Sequence, residues 1–345
     1  MNEIEIISEG YRLLFGGPEL KVMPLPRSGS DRRYFRIIDG SKSIIGTYNA
    51  NPDENEAFVG FTRHFRKRNL PVPEIYGYLP EKFIYYQKDL GDINLYTWLH
   101  SRPDISDFTD ETKCFYRKVL DNLILFQTRG IDGLNLDLCY PHRSFDRQSM
   151  MWDMNYFKYM LLKLLAVPFN ERHLERDFNT LADYLLETGQ DYFLYRDFQT
   201  ANIMIMGEEP WFIDYQGGRK GAPQYDVASL LYDAKIPMKP ENREELKEYY
   251  IDKFCLVSKE DKSKFRGYYA GFSMIRLMQA LGAFGFRGLY EQKPTFTETI
   301  VPAVFLLRDI AGTAGRHVSL PELYQTINAI PGTQMFMKLE EKNHR

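Results

Sequence analysis

Three side chains able to supply a base or oxygen ligands lie within one short stretch. Asp197 and Asn202 fall in Tyr195-Arg196-Asp197-Phe198-Gln199-Thr200-Ala201-Asn202, and Asp214 falls in Trp211-Phe212-Ile213-Asp214-Tyr215-Gln216. Moving the γ-phosphoryl group of ATP onto an alcohol calls for such a set. One carboxylate orients the accepting hydroxyl and takes its proton, while other oxygen atoms hold the magnesium that neutralises the phosphates. Asp197 suits the first task, and Asn202 with Asp214 suits the second. Asp and Asn also favour ordinary turns and strand ends, so the elements around them have to decide.

The runs Ile203-Met204-Ile205-Met206 and Trp211-Phe212-Ile213 flank the polar Gly207-Glu208-Glu209-Pro210. This arrangement predicts a β-hairpin with Asp197 and Asn202 in the loop before it and Asp214 at its exit. The Asp-x-x-x-x-Asn spacing is that of a kinase catalytic loop, and Asp214 stands where the Asp of Asp-Phe-Gly would stand. Tyr195 occupies the place of the usual histidine, which braces the loop, so an aromatic brace is expected there. Gln216 replaces the glycine. Arg196 is open between a substrate contact and a local ion pair. Asp226, just ahead of Val227, Leu230 and Leu231, reads as a helix N-cap that ties the catalytic loop in place.

Upstream, residues 4 to 15 predict a short helix stopped by Gly16-Gly17-Pro18, and a strand begins at Val22. Ser28, Gly29 and Ser30 can form a tight turn whose N–H groups face an anion, with Arg32 and Arg33 adding charge. Ser43 to Tyr48 predicts a strand, yet no lysine follows its apolar run, where kinases keep one for the α- and β-phosphates. Asp53-Glu54-Asn55-Glu56 has the form of a capping box at the start of a helix over 54–68, with Phe58, Phe61 and Phe65 on one face. Phe83 to Gln87 predicts a strand, broken by Gln87-Lys88-Asp89-Leu90-Gly91-Asp92. From Leu95 the periodicity is helical: helices are expected over 109–129, 152–165, 171–187 and 260–289, and residues 132–146 are loop-like. Past Pro331 the composition turns polar, and a frayed tail is expected over Lys338 to Arg345.

The segments Arg27–Arg36, Asp89-Leu90-Gly91-Asp92, Tyr195–Asn202, Ile213-Asp214-Tyr215-Gln216, Gly221–Leu231 and Ile275–Phe284 resemble, in this order, the aminoglycoside phosphotransferase superfamily. They are most similar to the branch of bacterial kinases that phosphorylate N-acetylmuramate and N-acetylglucosamine at the anomeric hydroxyl. The resemblance covers residues 25 to 310. It implies an α+β, bilobal, protein-kinase-like fold: a β-rich nucleotide-binding lobe over 1–88, a hinge over 89–93, a helical catalytic and substrate lobe over 94–331, and a polar tail over 332–345. It implies ATP and Mg²⁺, with Asp197 as base and Asn202 and Asp214 as metal ligands. Ser28, Gly29, Ser30, Arg32, Gln87 and Asp89 fall at the nucleotide, where hinge backbone groups meet the adenine. Arg196, Gln216 and Arg276 are candidates for the acceptor, Arg276 for an anionic or acetamido group. A functional link to a nucleotidyltransferase is a further expectation.

The 44% apolar and 26% charged composition is that of a globular protein, and a net charge of −3 offers no basic field for nucleic acid or anionic lipid. Three scattered cysteines, Cys114, Cys139 and Cys255, fit reduced thiols. With no leader-like or membrane-length apolar stretch, a cytoplasmic enzyme acting on a small sugar is expected. Two alternatives stand beside it: a kinase for another small alcohol (an aminoglycoside, a choline-like alcohol or a thiosugar), and a pseudokinase-type nucleotide-binding module, suggested by the absent lysine and Tyr195.

Overall fold

Asn2 starts the first helix reciprocally: its side chain accepts from the Ile4 N–H, and Glu5 accepts from the Asn2 N–H. This helix, α1 (Glu3–Phe15), ends at Gly16 and is followed by β1 (Lys21–Pro24), β2 (Arg33–Asp39), β3 (Lys42–Tyr48), α2 (Pro52–Lys67), β4 (Ile75–Leu79) and β5 (Ile84–Lys88). Next come α3 (Leu95–His100), α4 (Asp110–Thr128), α5 (Arg147–Phe157) and α6 (Glu171–Leu186). The strands β6 (Tyr192–Leu194), β7 (Ile203–Met206), β8 (Glu209–Phe212) and β9 (Arg219–Gly221) precede α7 (Gln224–Leu231), α8 (Pro240–Ser258), α9 (Lys262–Phe284), α10 (Pro294–Ala314), α11 (Pro321–Ala329) and α12 (Gln334–Asn343). The computed structural model describes residues 2–17, 20–26, 31–106 and 108–343. Chain contacts divide into two units, one of Met1–Ser101, Leu125–Arg143 and Tyr195–Arg219, the other of Arg102–Ile124, Ser144–Leu194 and Lys220–Arg345.

In the first unit an antiparallel sheet runs in the order β1-β2-β3-β5-β4. Its register sets Tyr34 opposite Thr47 and Thr47 opposite Tyr85. Ile7 of α1 buries itself against Phe35, Ile37 and Tyr86 on one side of the sheet. On α2, Phe58, Phe61 and Phe65 are buried as their spacing predicts. That helix starts differently from the expected capping box: Asn51 caps it by accepting from the Asp53 and Glu54 N–H groups, and Pro52 follows. Proline at the first helical position loses no hydrogen bond there, so the helix begins earlier than the Asp53–Glu56 pattern suggested. The expected hairpin forms from β7 and β8, with Met206 opposite Glu209. Its turn is only Gly207-Glu208, Gly207 taking the left-handed φ of 66° that a tight hairpin needs; Glu209 and Pro210 extend the strand instead.

The second unit is built on α9, against which α5, α7 and α10 pack. Phe272, Ile275, Met278 and Leu281, each three residues from the next, are buried. Beyond Phe284 the helix widens into a π turn over Gly285–Tyr290, and α5 continues into another over Lys158–Leu162. A Cβ on Gly285 would fall 1.9 Å from the Met160 carbonyl oxygen, so only glycine allows these two turns to meet. Two expectations fail here. The tail expected to fray from Lys338 is instead helical as far as Asn343, the second half of α12, because Phe336 and Leu339, three residues apart, enter the core beside α10. Asp226 is not an N-cap: α7 begins at Gln224 after Pro223, leaving Asp226 in the first turn and wholly buried.

Candidate active site

The loop between β6 and β7 turns through Arg196 at φ 82°, and the segment that follows β8 turns at Asp214 with φ 70°. Left-handed backbone at non-glycine residues costs of order 1–3 kcal/mol and gathers at functional sites. A net of bonds holds both positions. The Gln199 N–H donates to the Asp197 carbonyl at 3.0 Å, and the Ile213 N–H donates to the Asn202 carbonyl at 3.1 Å. Asn202 is the hub: its Nδ2 donates to the Asp197 carbonyl at 2.9 Å and to Asp214 Oδ2 at 3.2 Å. Tyr195 donates its hydroxyl to the Ile213 carbonyl at 2.6 Å, the aromatic brace expected in place of histidine.

Asp214 Oδ1 accepts from Gln216 Nε2 at 2.8 Å and from Arg32 Nη1 at 2.9 Å. The other prong of Arg32, Nη2, reaches Glu54 Oε2 at 2.6 Å, and Asn49 Nδ2 donates to the same oxygen at 3.1 Å. Arg32 is 4% exposed. Burial works against its charge, but Tyr85, Tyr34, Asp214 and Glu54 more than offset this and raise its pKa, so the guanidinium stays protonated. From the same helix as Glu54, Phe58 stacks on Tyr215 with ring centroids 5.0 Å apart, and the Thr62 and Tyr215 hydroxyls share a hydrogen bond of 2.5 Å. In this way α2 grips the Asp214 segment from both sides. The late part of β3, where a lysine was missed, carries buried Thr47, while Lys42 is exposed at the strand's start.

The remaining expected residues divide. Ser28, Gly29 and Ser30 lie outside the described residues. Gln87 is buried on β5 with Nε2 3.5 Å from Thr47 Oγ1. Asp89 clamps the strands to the 89–93 loop: Arg36 donates at 2.6 and 3.0 Å, Ser43 at 2.5 Å and the Gly91 N–H at 2.9 Å. Burial alone would raise its pKa, yet these donors outweigh it and hold the carboxyl below its ordinary value. Its side chain is thus committed to the protein. In the second unit Arg276 is buried, with Nε on Ser229 Oγ at 2.8 Å and Nη1 on the Gln279 amide oxygen. Sequence reasoning missed Glu54 and Asn49. It also missed buried Arg219, which donates to the Gly217 carbonyl at 3.0 and 3.1 Å and to the Tyr140 carbonyl at 3.1 Å, pinning the segment after Asp214.

Residues 21–268 match the model of a family described as phosphotransferase enzyme family, APH. The chain belongs to this family. Two curated relatives carry the name N-acetylmuramate/N-acetylglucosamine kinase. That of Neisseria meningitidis serogroup B is 24% identical over 317 residues, 88% of each chain. That of Pseudomonas aeruginosa is 25% identical over 224 residues, 64% of this chain and 62% of the relative, so this match spans less than two thirds of its length. Among solved structures, the amicoumacin kinase complex with AMP-PNP and Ca²⁺ has a TM-score of 0.63 at 11% identity, covering 90% of this chain and 94% of that one, a likeness of fold alone. The phosphotransferase is therefore a kinase with a hydroxyl acceptor on an α+β kinase-like fold, as the motifs led one to expect.

The donor set suits a divalent cation of the magnesium type. Asp214 Oδ2 accepts from the Asn202 amide nitrogen at 3.2 Å, and a cation, the Arg32 guanidinium, already stands on Asp214 Oδ1. Among the described residues no group of three or more His, Cys, Asp or Glu could cage a metal.

Proposed function

We propose that the phosphotransferase moves the γ-phosphoryl group of ATP, with Mg²⁺, to the anomeric hydroxyl of an N-acetylated amino sugar of the N-acetylmuramate/N-acetylglucosamine type. The observation that carries the reading is the Asn202 amide, bonded at once to the Asp197 backbone and to the Asp214 carboxylate. It ties the candidate base and the candidate metal ligand into one rigid unit. Asp197 accepts the proton of the acceptor hydroxyl as its oxygen bonds to phosphorus and the bond to the ADP oxygen breaks. Asn202 and Asp214 hold the metal, which when bound neutralises the phosphate oxygens. Gln216 orients Asp214 through Nε2. Its Oε1, buried and without a hydrogen-bond partner among the described residues, is free to accept from a substrate hydroxyl.

The names of both curated relatives support the sugar acceptor. Arg276 belongs to the second unit, where this buried cation bonds the neutral side chains of Ser229 and Gln279. The test is ADP release by purified protein with Mg²⁺ across a panel of amino sugars and amino alcohols. N-acetylmuramate or N-acetylglucosamine should drive release, and Asp197→Asn should lower it about 10²–10⁴-fold with nucleotide affinity unchanged. Release driven only by amino alcohols, or full activity in Asp197→Asn, would refute the proposal.

A further inference from the structure

We propose that Arg32 does the work of the missing lysine, and that without nucleotide it also occupies the metal-binding oxygen of Asp214. The inference rests on the kinase reading above. Arg32 lies immediately before β2, one strand away from the place in β3 where Thr47 is buried. Its planar fork spans two acceptors that a lysine ammonium, a single point of charge, could not bridge in the same fixed geometry. The Glu54 prong is the anchored one: Glu54 Oε2 is also held by Asn49, and its backbone N–H is capped by Asn51 at the start of α2. The Asp214 prong is a single bond of 2.9 Å to an oxygen that Gln216 also serves. The side chains of Glu54 and Asp214 are 34% and 31% exposed and that of Arg32 4%, so an entering ligand meets the two carboxylates first and reaches Arg32 by displacing its Asp214 prong.

The two prongs therefore have different fates. Nη2 stays on Glu54, while Nη1 leaves Asp214 Oδ1 for phosphate oxygens of the nucleotide, and Asp214 then offers that oxygen to the metal. The positive charge moves by a rotation of one planar group rather than by a new side chain entering. Two consequences of opposite sign follow for removal of Arg32. Nucleotide binding loses a charge-assisted hydrogen-bond donor, and Asp214 gains freedom to bind a cation alone.

Full-length protein, Arg32→Met and Arg32→Lys should be titrated with AMP-PNP by calorimetry and, separately, with Mn²⁺ alone by electron paramagnetic resonance. Arg32→Met should weaken AMP-PNP roughly ten- to a hundredfold, the range for a hydrogen bond to a charged group, and tighten Mn²⁺ several-fold. Arg32→Lys should recover part of the nucleotide affinity and keep the tighter Mn²⁺ binding. A purely structural arginine would weaken both ligands together, and that result, or unchanged affinities for both, overturns the assignment. If Arg32→Met does not fold, the Arg32→Lys pair of affinities decides alone. Wild-type protein that binds no AMP-PNP would remove the kinase reading as well, whereas wild-type binding with indifferent variants removes only the role of Arg32.

Discussion

Asp214 shows how much organisation one carboxylate can require. Asn202 serves one oxygen, Gln216 and Arg32 serve the other, and the backbone beneath is held in a left-handed conformation. Gln216, standing where kinases carry glycine, is therefore a support for the carboxylate as well as a candidate contact for substrate. Replacing it with methionine keeps the volume and removes the Nε2 bond. The half-saturating Mg²⁺ concentration of the kinase should then rise roughly five- to tenfold, in line with about 1 kcal/mol for one hydrogen bond. A magnesium titration of the rate checks this, and an unchanged titration would assign Gln216 to the acceptor alone.

Among the elements, α2 carries the most weight for its length. Its first turn presents Glu54 to Arg32, and its middle turns press Phe58 and Thr62 on Tyr215, so one rigid helix fixes both sides of Asp214. The Asn51 side chain accepts from the Glu54 N–H and sets where that first turn begins. Asn51→Ala should cost about 1 kcal/mol of stability, the usual value for a lost N-cap, read as a shift in urea midpoint. It should also raise the KM for ATP, because Glu54 moves with the turn. Loss of stability with an unaltered KM would mean that Glu54 does not position the nucleotide site.

Over the whole molecule, apolar burial reaches to the last helix. Phe336 is wholly buried and Leu339 nearly so, both in the core cluster of the second unit. Phe336→Ala should cost about 3–5 kcal/mol, the range for deleting a buried phenyl group, measured by urea denaturation followed through circular dichroism. A tail would lose almost nothing. Among the described residues no helix is long and apolar enough to cross a membrane, and the small net charge of −3 gives the surface no strong overall field.

The sequence alone determined what depends on neighbours along the chain. The hairpin follows from two apolar runs and a turn, the faces of α2 and α9 follow from helical spacing, and Asp197, Asn202 and Asp214 stand out because a short loop and a hairpin bring them together without long-range help. Tertiary structure decided what depends on distant partners. Arg32 and Asp214 meet across 182 positions of chain, and no local pattern encodes that pairing. Asn51 won the cap from Asp53 because Pro52 could open the helix at no cost in hydrogen bonds, and the polar final segment became α12 because α10 offered Phe336 and Leu339 a core. Local pattern settles conformation where the interactions are within a turn or two. Where a charge or an apolar side chain can be satisfied in several places, the packed fold chooses among them.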